Sequence, residues 1–165
     1  MTQTRPRPIA LALAGVLVGC ATTAAAWLIA HPTDIDSHSR DCATVKATAQ
    51  QWTSTVASIQ HDLETGPGER ADLLAAADRE AAMAAQLRAA ASHVSAPALQ
   101  QQFTSWAHGV ELAAQVQHRT ATDPPTPVGA PDPSAGDQKR AAVMIYEASS
   151  RLFAACPDAR PAGHP

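Results

Sequence analysis

The chain has 165 residues, a formal net charge of −3 and 45% apolar residues. That length accommodates one compact domain with an anchor or tail, and it excludes two ordinary domains. Alanine, the best helix former, supplies 38 residues while only six are aromatic, so an all-α fold is favoured over a sheet. Beyond residue 30, ten basic residues are outnumbered by fifteen acidic ones, which argues against nucleic-acid binding.

The N-terminal region contains an uncharged stretch of 22 residues, 9–30, preceded by Arg5 and Arg7. A helix of that length rises about 33 Å at ~1.5 Å per residue, enough to cross a hydrocarbon core of roughly 30 Å. Because flanking arginines favour the cytoplasmic side, residues 1–8 are expected to be a cytoplasmic tail. The sequence therefore predicts a single-pass protein of the cell membrane whose C-terminal domain is extracytoplasmic.

Three fates of this segment remain open. Its length favours an uncleaved anchor, because the apolar part of a signal peptide is normally about 7 to 15 residues. The tetrapeptide Leu17-Val18-Gly19-Cys20 resembles a bacterial lipobox, which makes Cys20 a lipidation candidate, although residues 21–30 stay apolar after it. The small residues at 24–26 also permit cleavage after Ala26. Each of the three places the domain outside the cytoplasm.

Four stretches of helical periodicity follow a predicted polar linker at 31–41. The first is an apolar heptad stripe that ends before Gly66-Pro67-Gly68, a helix-stopping turn. A second, alanine-rich helix is predicted from about Glu69 to His93, and Ser95 is expected to cap the next one. The stripe of the first helix comprises Cys42, Val45, Ala49, Trp52, Val56, Ile59 and Leu63.

The third predicted helix carries the bulkiest apolar residues and fades near Arg119. Residues 122–137 contain five prolines and little to bury, so they are predicted to form a loop within the bundle. A last helix is expected from about Asp137 to Ala155, followed by a disordered tail at 157–165. Short connections favour an antiparallel, up-down four-helix bundle over residues 42–156.

Cys42 and Cys156 are the first and last residues of the segment predicted to form the bundle. In an up-down arrangement the start of the first helix and the end of the fourth lie at the same end, so the two cysteines are placed to pair. Exported proteins keep such disulfides, and closing a loop of this length stabilises a fold by roughly 4 to 5 kcal/mol on the chain-entropy model. The alternative is a pair of unbonded buried cysteines.

The sequence carries no catalytic signature. None of the glutamates is followed three residues later by histidine, as a di-metal carboxylate bundle requires. The stripe His108, Glu111, Gln115 and His118 is interpreted as a solvated helix face, with a weak transition-metal site as its alternative. We therefore expect no enzymatic activity, no cofactor and no metal site.

Four aromatic residues set among alanines are candidates for contact with an apolar ligand: Trp52, Phe103, Trp106 and Tyr146. If large and small side chains do not interlock, a pocket between the helices would take a lipid tail or a haem-like molecule. The alternative is that these rings fill the core.

The chain resembles a group of small actinobacterial, mycobacterial-type envelope proteins. The resemblance covers residues 41–157 and rests on Asp41-Cys42 with Val45 and Trp52, on the segment Gly66-Pro67-Gly68-Glu69-Arg70-Ala71-Asp72, and on Ala155-Cys156-Pro157. It implies export and membrane attachment. The expected function is a membrane-tethered interaction or assembly module that binds another envelope protein; the alternative is a carrier or sensor of an apolar ligand.

Overall fold

The computed structural model describes residues 32–66, 70–124 and 131–161 of the chain. The chain divides into two compact units, one ending at Ser37 and the other beginning at His38. In the first unit, the described residues 32–37 are helical. The packing described below belongs to the second unit. The predicted membrane segment 9–30, with Cys20, lies outside the described residues.

Four helices make up the described fold, with no strand among the residues described: α1 (Pro32–Thr65), α2 (Arg70–His93), α3 (Pro97–Thr122) and α4 (Ala135–Ala155). The predicted all-α fold is confirmed in these regions. None of these helices is long and apolar enough to cross a membrane. The alanine-rich composition explains the preference, because alanine loses the least free energy on entering a helix.

The predicted linker at 31–41 is wrong over most of its length, because α1 already begins at Pro32. Proline is compatible with a first helical position, since the N–H it lacks would have no partner within the helix. At the other end of the bundle, α4 begins at Ala135, inside the predicted loop 122–137. Residues 125–130 of that loop lie outside the described parts of the chain.

Contacts between the helices have the order that an antiparallel bundle requires. Asp41, near the start of α1, is bonded to Ser95 beyond the end of α2, whereas Asp62 near the end of α1 pairs with Arg79 in the first half of α2. The same reversal holds for α3 and α4, where Arg119 and Asp137 pair across the loop between them. The helix α3 packs against both α2 and α4.

The hydrophobic core is built around α3. Phe103, Trp106 and Val110 are fully buried, together with Leu87 of α2 and Leu152 of α4. Much of the remaining core is alanine, which lets helices approach closely but contributes little transfer free energy per residue. The buried alanines of the main cluster are Ala49, Ala84, Ala90, Ala107, Ala148 and Ala159.

The helices α3 and α4 are in close contact at Gly109. A Cβ atom at this position would lie 3.0 Å from Ile145 Cγ1 and 3.1 Å from both the Ile145 backbone nitrogen and Met144 Cβ. Real Cβ atoms rarely tolerate such distances. The absence of a side chain at Gly109 therefore permits this close contact with Met144 and Ile145.

The chain remains ordered after α4, in contrast to the predicted disordered tail at 157–165. Pro157–Ala159 forms a short 3₁₀ turn, and Ala159 is buried against the core. The turn follows Cys156 directly, and its position is explained by the disulfide that holds Cys156 in place. The prediction for residues 162–165 lies outside the described residues.

Candidate functional site

Of the four aromatic residues predicted to line a pocket, three lie together in the core and the fourth, Tyr146, is exposed. Phe103 and Trp106 of α3 have no exposed surface, and Trp52 of α1 packs partly buried against the same cluster. The rings of Trp52 and Trp106 meet edge to face, with centroids 5.6 Å apart. This geometry is typical of rings that fill a core.

Tyr146 is not part of the aromatic interior, which corrects the prediction for this residue. Its side chain is 65% exposed on α4, and Val143 one turn earlier is also exposed. Ala148 and Leu152 carry the centre of the buried stripe of α4, and Tyr146 lies at the margin of that stripe. Phe153, seven residues later at nearly the same phase, is buried near the end of the helix, so position along the helix as well as phase separates the two rings.

Cys42 and Cys156 form the predicted disulfide. The bond joins the first half of α1 to the residue that ends α4, across a sequence separation of 114 residues, with Cα atoms 5.3 Å apart. Cys156 is buried and Cys42 is partly buried against the core. The disulfide therefore joins the first and last helices of the bundle covalently.

Asp41 lies next to the disulfide in sequence and joins α1 to the start of α3. Its carboxylate accepts hydrogen bonds from the backbone N–H of Ser95 (2.9 Å), the Ser95 hydroxyl (3.0 Å) and the backbone N–H of Ala96 (2.9 Å). Burial acts to raise the pKa of Asp41, but these hydrogen bonds together bring the pKa below its ordinary value. A buried carboxylate is thus held ionised at a helix N-terminus.

The capping role predicted for Ser95 is consequently different in the structure. The residue that caps α3 is Ala96, which has no side chain able to accept a hydrogen bond, and Pro97 occupies the first turn. The acceptor comes instead from Asp41, 54 residues earlier in the chain. Local sequence rules identify caps within a few residues and cannot find this one.

A second polar pair, Glu80 of α2 and Gln117 of α3, links the two helices. Gln117 Nε2 donates to Glu80 Oε1 at 2.8 Å. The other oxygen of each group, Glu80 Oε2 and Gln117 Oε1, is buried without a hydrogen-bond partner among the described residues. Burial raises the pKa of Glu80 to about 7, against the lowering effect of the Gln117 amide.

Both members of this pair occupy apolar helix stripes, and that was the signal the sequence offered. Glu80 falls between Ala76 and Met83 on the buried face of α2, and Gln117 continues the spacing of Trp106 and Val110 on α3. Polar residues at such positions either disrupt the apolar interface between two helices or form a hydrogen bond across it. Glu80 and Gln117 form a hydrogen bond across the interface of α2 and α3.

Two grooves follow the junction of α1 and α2. One, of about 340 Å³, is lined by residues of both helices, and the other, of about 280 Å³, surrounds the Arg79–Asp62 ion pair. Neither is lined by the four aromatic candidates. The lining of the larger groove is Gln51, Ser54, Thr55, Ser58, Arg79, Ala82, Met83 and Gln86.

The remaining titratable side chains do not assemble into a reactive centre in the described parts of the chain. No three histidine, cysteine or acidic residues gather there as metal ligands would. In the stripe on α3 considered as a weak metal site, Glu111 is paired with Arg88 of α2, and His108 and His118 are exposed. The groups best placed to take part in chemistry are the buried carboxyl groups of Asp41 and Glu80.

Comparison with known proteins adds no relative. No protein-family model matches the chain, and no curated protein or solved structure matches it either.

Proposed function

We propose that the chain is a non-enzymatic, membrane-tethered helical domain that works outside the cytoplasm as an interaction or assembly module of the cell envelope. The observation that carries this proposal is the packed aromatic interior: with Phe103 and Trp106 fully enclosed and Trp52 against them, the bundle offers its outer surface rather than its centre. The Cys42–Cys156 disulfide supports the compartment, because such bonds persist in oxidising environments.

The anchor in this proposal is the segment 9–30, with residues 1–8 in the cytoplasm. Lipidation at Cys20 is the alternative attachment. Residues 41–157 are further proposed to belong with the small actinobacterial envelope proteins that they resemble. The intact mass of the chain extracted from host membranes tests the attachment, because a start at Met1 supports the anchor and a lipidated start at Cys20 supports the alternative.

The interaction module is tested by photocrosslinking in the host cell. A photoreactive phenylalanine analogue replaces Tyr146, whose ring is 65% exposed, and in separate strains it replaces exposed residues of the other helices: Lys46 of α1, Gln86 of α2 and Gln101 of α3. We expect a covalent adduct of defined mass from one face of the bundle and none from the opposite face. The proposal would be contradicted if none of the four positions gave an adduct.

A second candidate function, a carrier or sensor of an apolar ligand, is favoured by one observation. Trp106 Nε1 is buried and has no hydrogen-bond partner in the described part of the protein. A buried indole N–H without a partner costs free energy, and a ligand carbonyl or carboxyl would satisfy it. Organic extraction and absorption spectra of the purified full chain test this function. Release of a lipid or a haem-like chromophore would support it, and no response to added haem or lipid would exclude it.

A further inference from the structure

The unpartnered atoms of the Glu80–Gln117 pair are complementary. Gln117 donates to Glu80 through its amide nitrogen, and the two oxygens left without partners belong one to each residue. Two oxygens that only accept cannot bond to each other. A single proton on Glu80 Oε2 turns that atom into a donor for Gln117 Oε1, and the two groups then form a cyclic acid–amide pair with two hydrogen bonds.

We propose that Glu80 and Gln117 are a one-proton lock between α2 and α3, closed by two hydrogen bonds when Glu80 is protonated and opened to one when Glu80 ionises. Ionisation takes the donor hydrogen from Glu80 Oε2 and leaves both that carboxylate oxygen and the Gln117 carbonyl buried without a partner. Each unpaired buried atom costs free energy, and the cost is greater for a charged group. Raising the pH therefore weakens the junction of α2 and α3.

The other charged groups around this junction are bound elsewhere or exposed. Asp78 on α2 is exposed, and so are His61 and Glu64 of α1 and His118 of α3. Ion pairs join the remaining neighbours: Arg79 to Asp62, Arg88 to Glu111, and both Arg119 and Arg140 to Asp137 of α4. The influences on the Glu80 carboxyl are burial, which is the larger, and the Gln117 amide.

The direction of the pH effect follows from linkage. Burial raises the pKa of Glu80 from 4.5 to about 7 in the folded protein, so between these values the folded state binds more protons than the unfolded state. The contribution of Glu80 to stability is complete below pH 4.5 and is lost as the pH rises through 7. A protein facing the outside of a cell experiences changes in this range. Use of the lock as a pH sensor rests on the proposed function, whereas the lock itself does not.

The test compares thermal unfolding of the full chain in nonionic detergent from pH 4.5 to pH 8.5, for wild type and Glu80→Gln. Glutamine keeps both hydrogen bonds, because its amide donates to Gln117 Oε1 and accepts from Gln117 Nε2 at every pH. We expect the wild-type midpoint to fall by several degrees across this range. The Glu80→Gln midpoint should equal the wild-type value at pH 5 and exceed it at pH 8.

Other groups of the protein also respond to pH, so controls isolate the contribution of Glu80. Asp78→Asn removes an exposed carboxylate of the same helix and should leave the wild-type decline unchanged. Gln117→Leu should lower the midpoint at pH 5, where the wild type has both hydrogen bonds. Infrared difference spectra of wild type against Glu80→Gln at pH 5 should show the carbonyl stretch of a protonated carboxylic acid.

Three outcomes would overturn the lock. They are a Glu80→Gln midpoint that declines with pH as steeply as that of the wild type, a Glu80→Gln chain that does not fold at pH 5, and infrared spectra without a protonated acid. All are read on purified protein, so they are independent of whether crosslinking finds an envelope partner.

Discussion

At the scale of single residues, Gly109 lies where α3 and α4 are in close contact. We predict that Gly109→Ala destabilises the fold by about 1 kcal/mol. The higher helix propensity of alanine favours the variant, but the new methyl group would meet the Ile145 backbone nitrogen at 3.1 Å, and backbone atoms do not yield as a flexible side chain does. Urea unfolding followed by circular dichroism measures the change.

The matched control is Gly136→Ala in the first turn of α4. A Cβ at Gly136 would meet nothing within 4 Å, so only the propensity term remains and a gain of up to about 1 kcal/mol is expected. If both variants gained stability equally, the close contact at Gly109 would not contribute to the free energy of unfolding.

The charge of Asp41 joins α1 to the turn that precedes α3. Replacing it by asparagine removes the ionised acceptor of three hydrogen bonds and presents an amide to donors, so we predict a loss of about 2 kcal/mol at pH 7. Because the pKa of Asp41 is lowered in the folded protein, its contribution is present above the ordinary value of 3.8 and is lost as the pH falls through the folded pKa.

The measurement for Asp41→Asn is the free energy of unfolding at pH 7 and at pH 2.5. The difference from the wild type should shrink at the lower pH, because a larger fraction of the wild-type carboxyl is protonated there than at pH 7. Asp123→Asn, which alters an exposed carboxylate after α3, serves as the control and should change little. A penalty for Asp41→Asn that did not depend on pH would show that packing, and not the charge, is responsible.

At the scale of helices, the sequence predicted the seams better than the ends. The stripe predicted for α1 is buried or partly buried from Cys42 to Ile59, and only Leu63 at its end is exposed, because a repeat of three and four residues follows directly from the geometry of a helix. Helix ends depend on contacts outside the local sequence. The cap that Asp41 provides for α3 could not be identified from the residues next to that helix.

The candidate site was predictable to a lesser degree. The sequence identifies Phe103, Trp106 and Trp52 as interior residues, because large rings set among alanines collect in a core, but the same reasoning does not show that Tyr146 lies outside it. The pairing of Glu80 with Gln117 required the register of α2 against α3, which periodicity within one helix does not define. Pairings across helices are where single-sequence reasoning stops.

The aromatic interior yields a prediction that separates a filled core from a ligand pocket. Phe103→Ala should cost about 3 to 5 kcal/mol, because a fully buried ring leaves a cavity. Trp52→Ala should cost less, about 1 to 2 kcal/mol, since this ring is only partly buried and mainly contributes its edge-to-face contact. Urea unfolding of the two variants tests the order. A loss below about 1 kcal/mol for Phe103→Ala would indicate an open pocket and favour the carrier function.

At the scale of the whole molecule, the disulfide compensates for a core in which alanine occupies much of the interface. Cys42 and Cys156 are 114 residues apart, so the disulfide restricts most of the chain in the unfolded state. Breaking the bond raises the conformational entropy of the unfolded state and so lowers the free energy of unfolding. We predict that the double variant Cys42→Ser, Cys156→Ser keeps its helical circular dichroism but loses about 4 kcal/mol of unfolding free energy.

Cys20→Ser is the control and should retain wild-type stability. Reductant should lower the wild-type unfolding midpoint to that of the double variant and leave the double variant unchanged. Equal midpoints for oxidised and reduced wild type would mean that helix packing alone, centred on Phe103 and Trp106, accounts for the stability of the bundle.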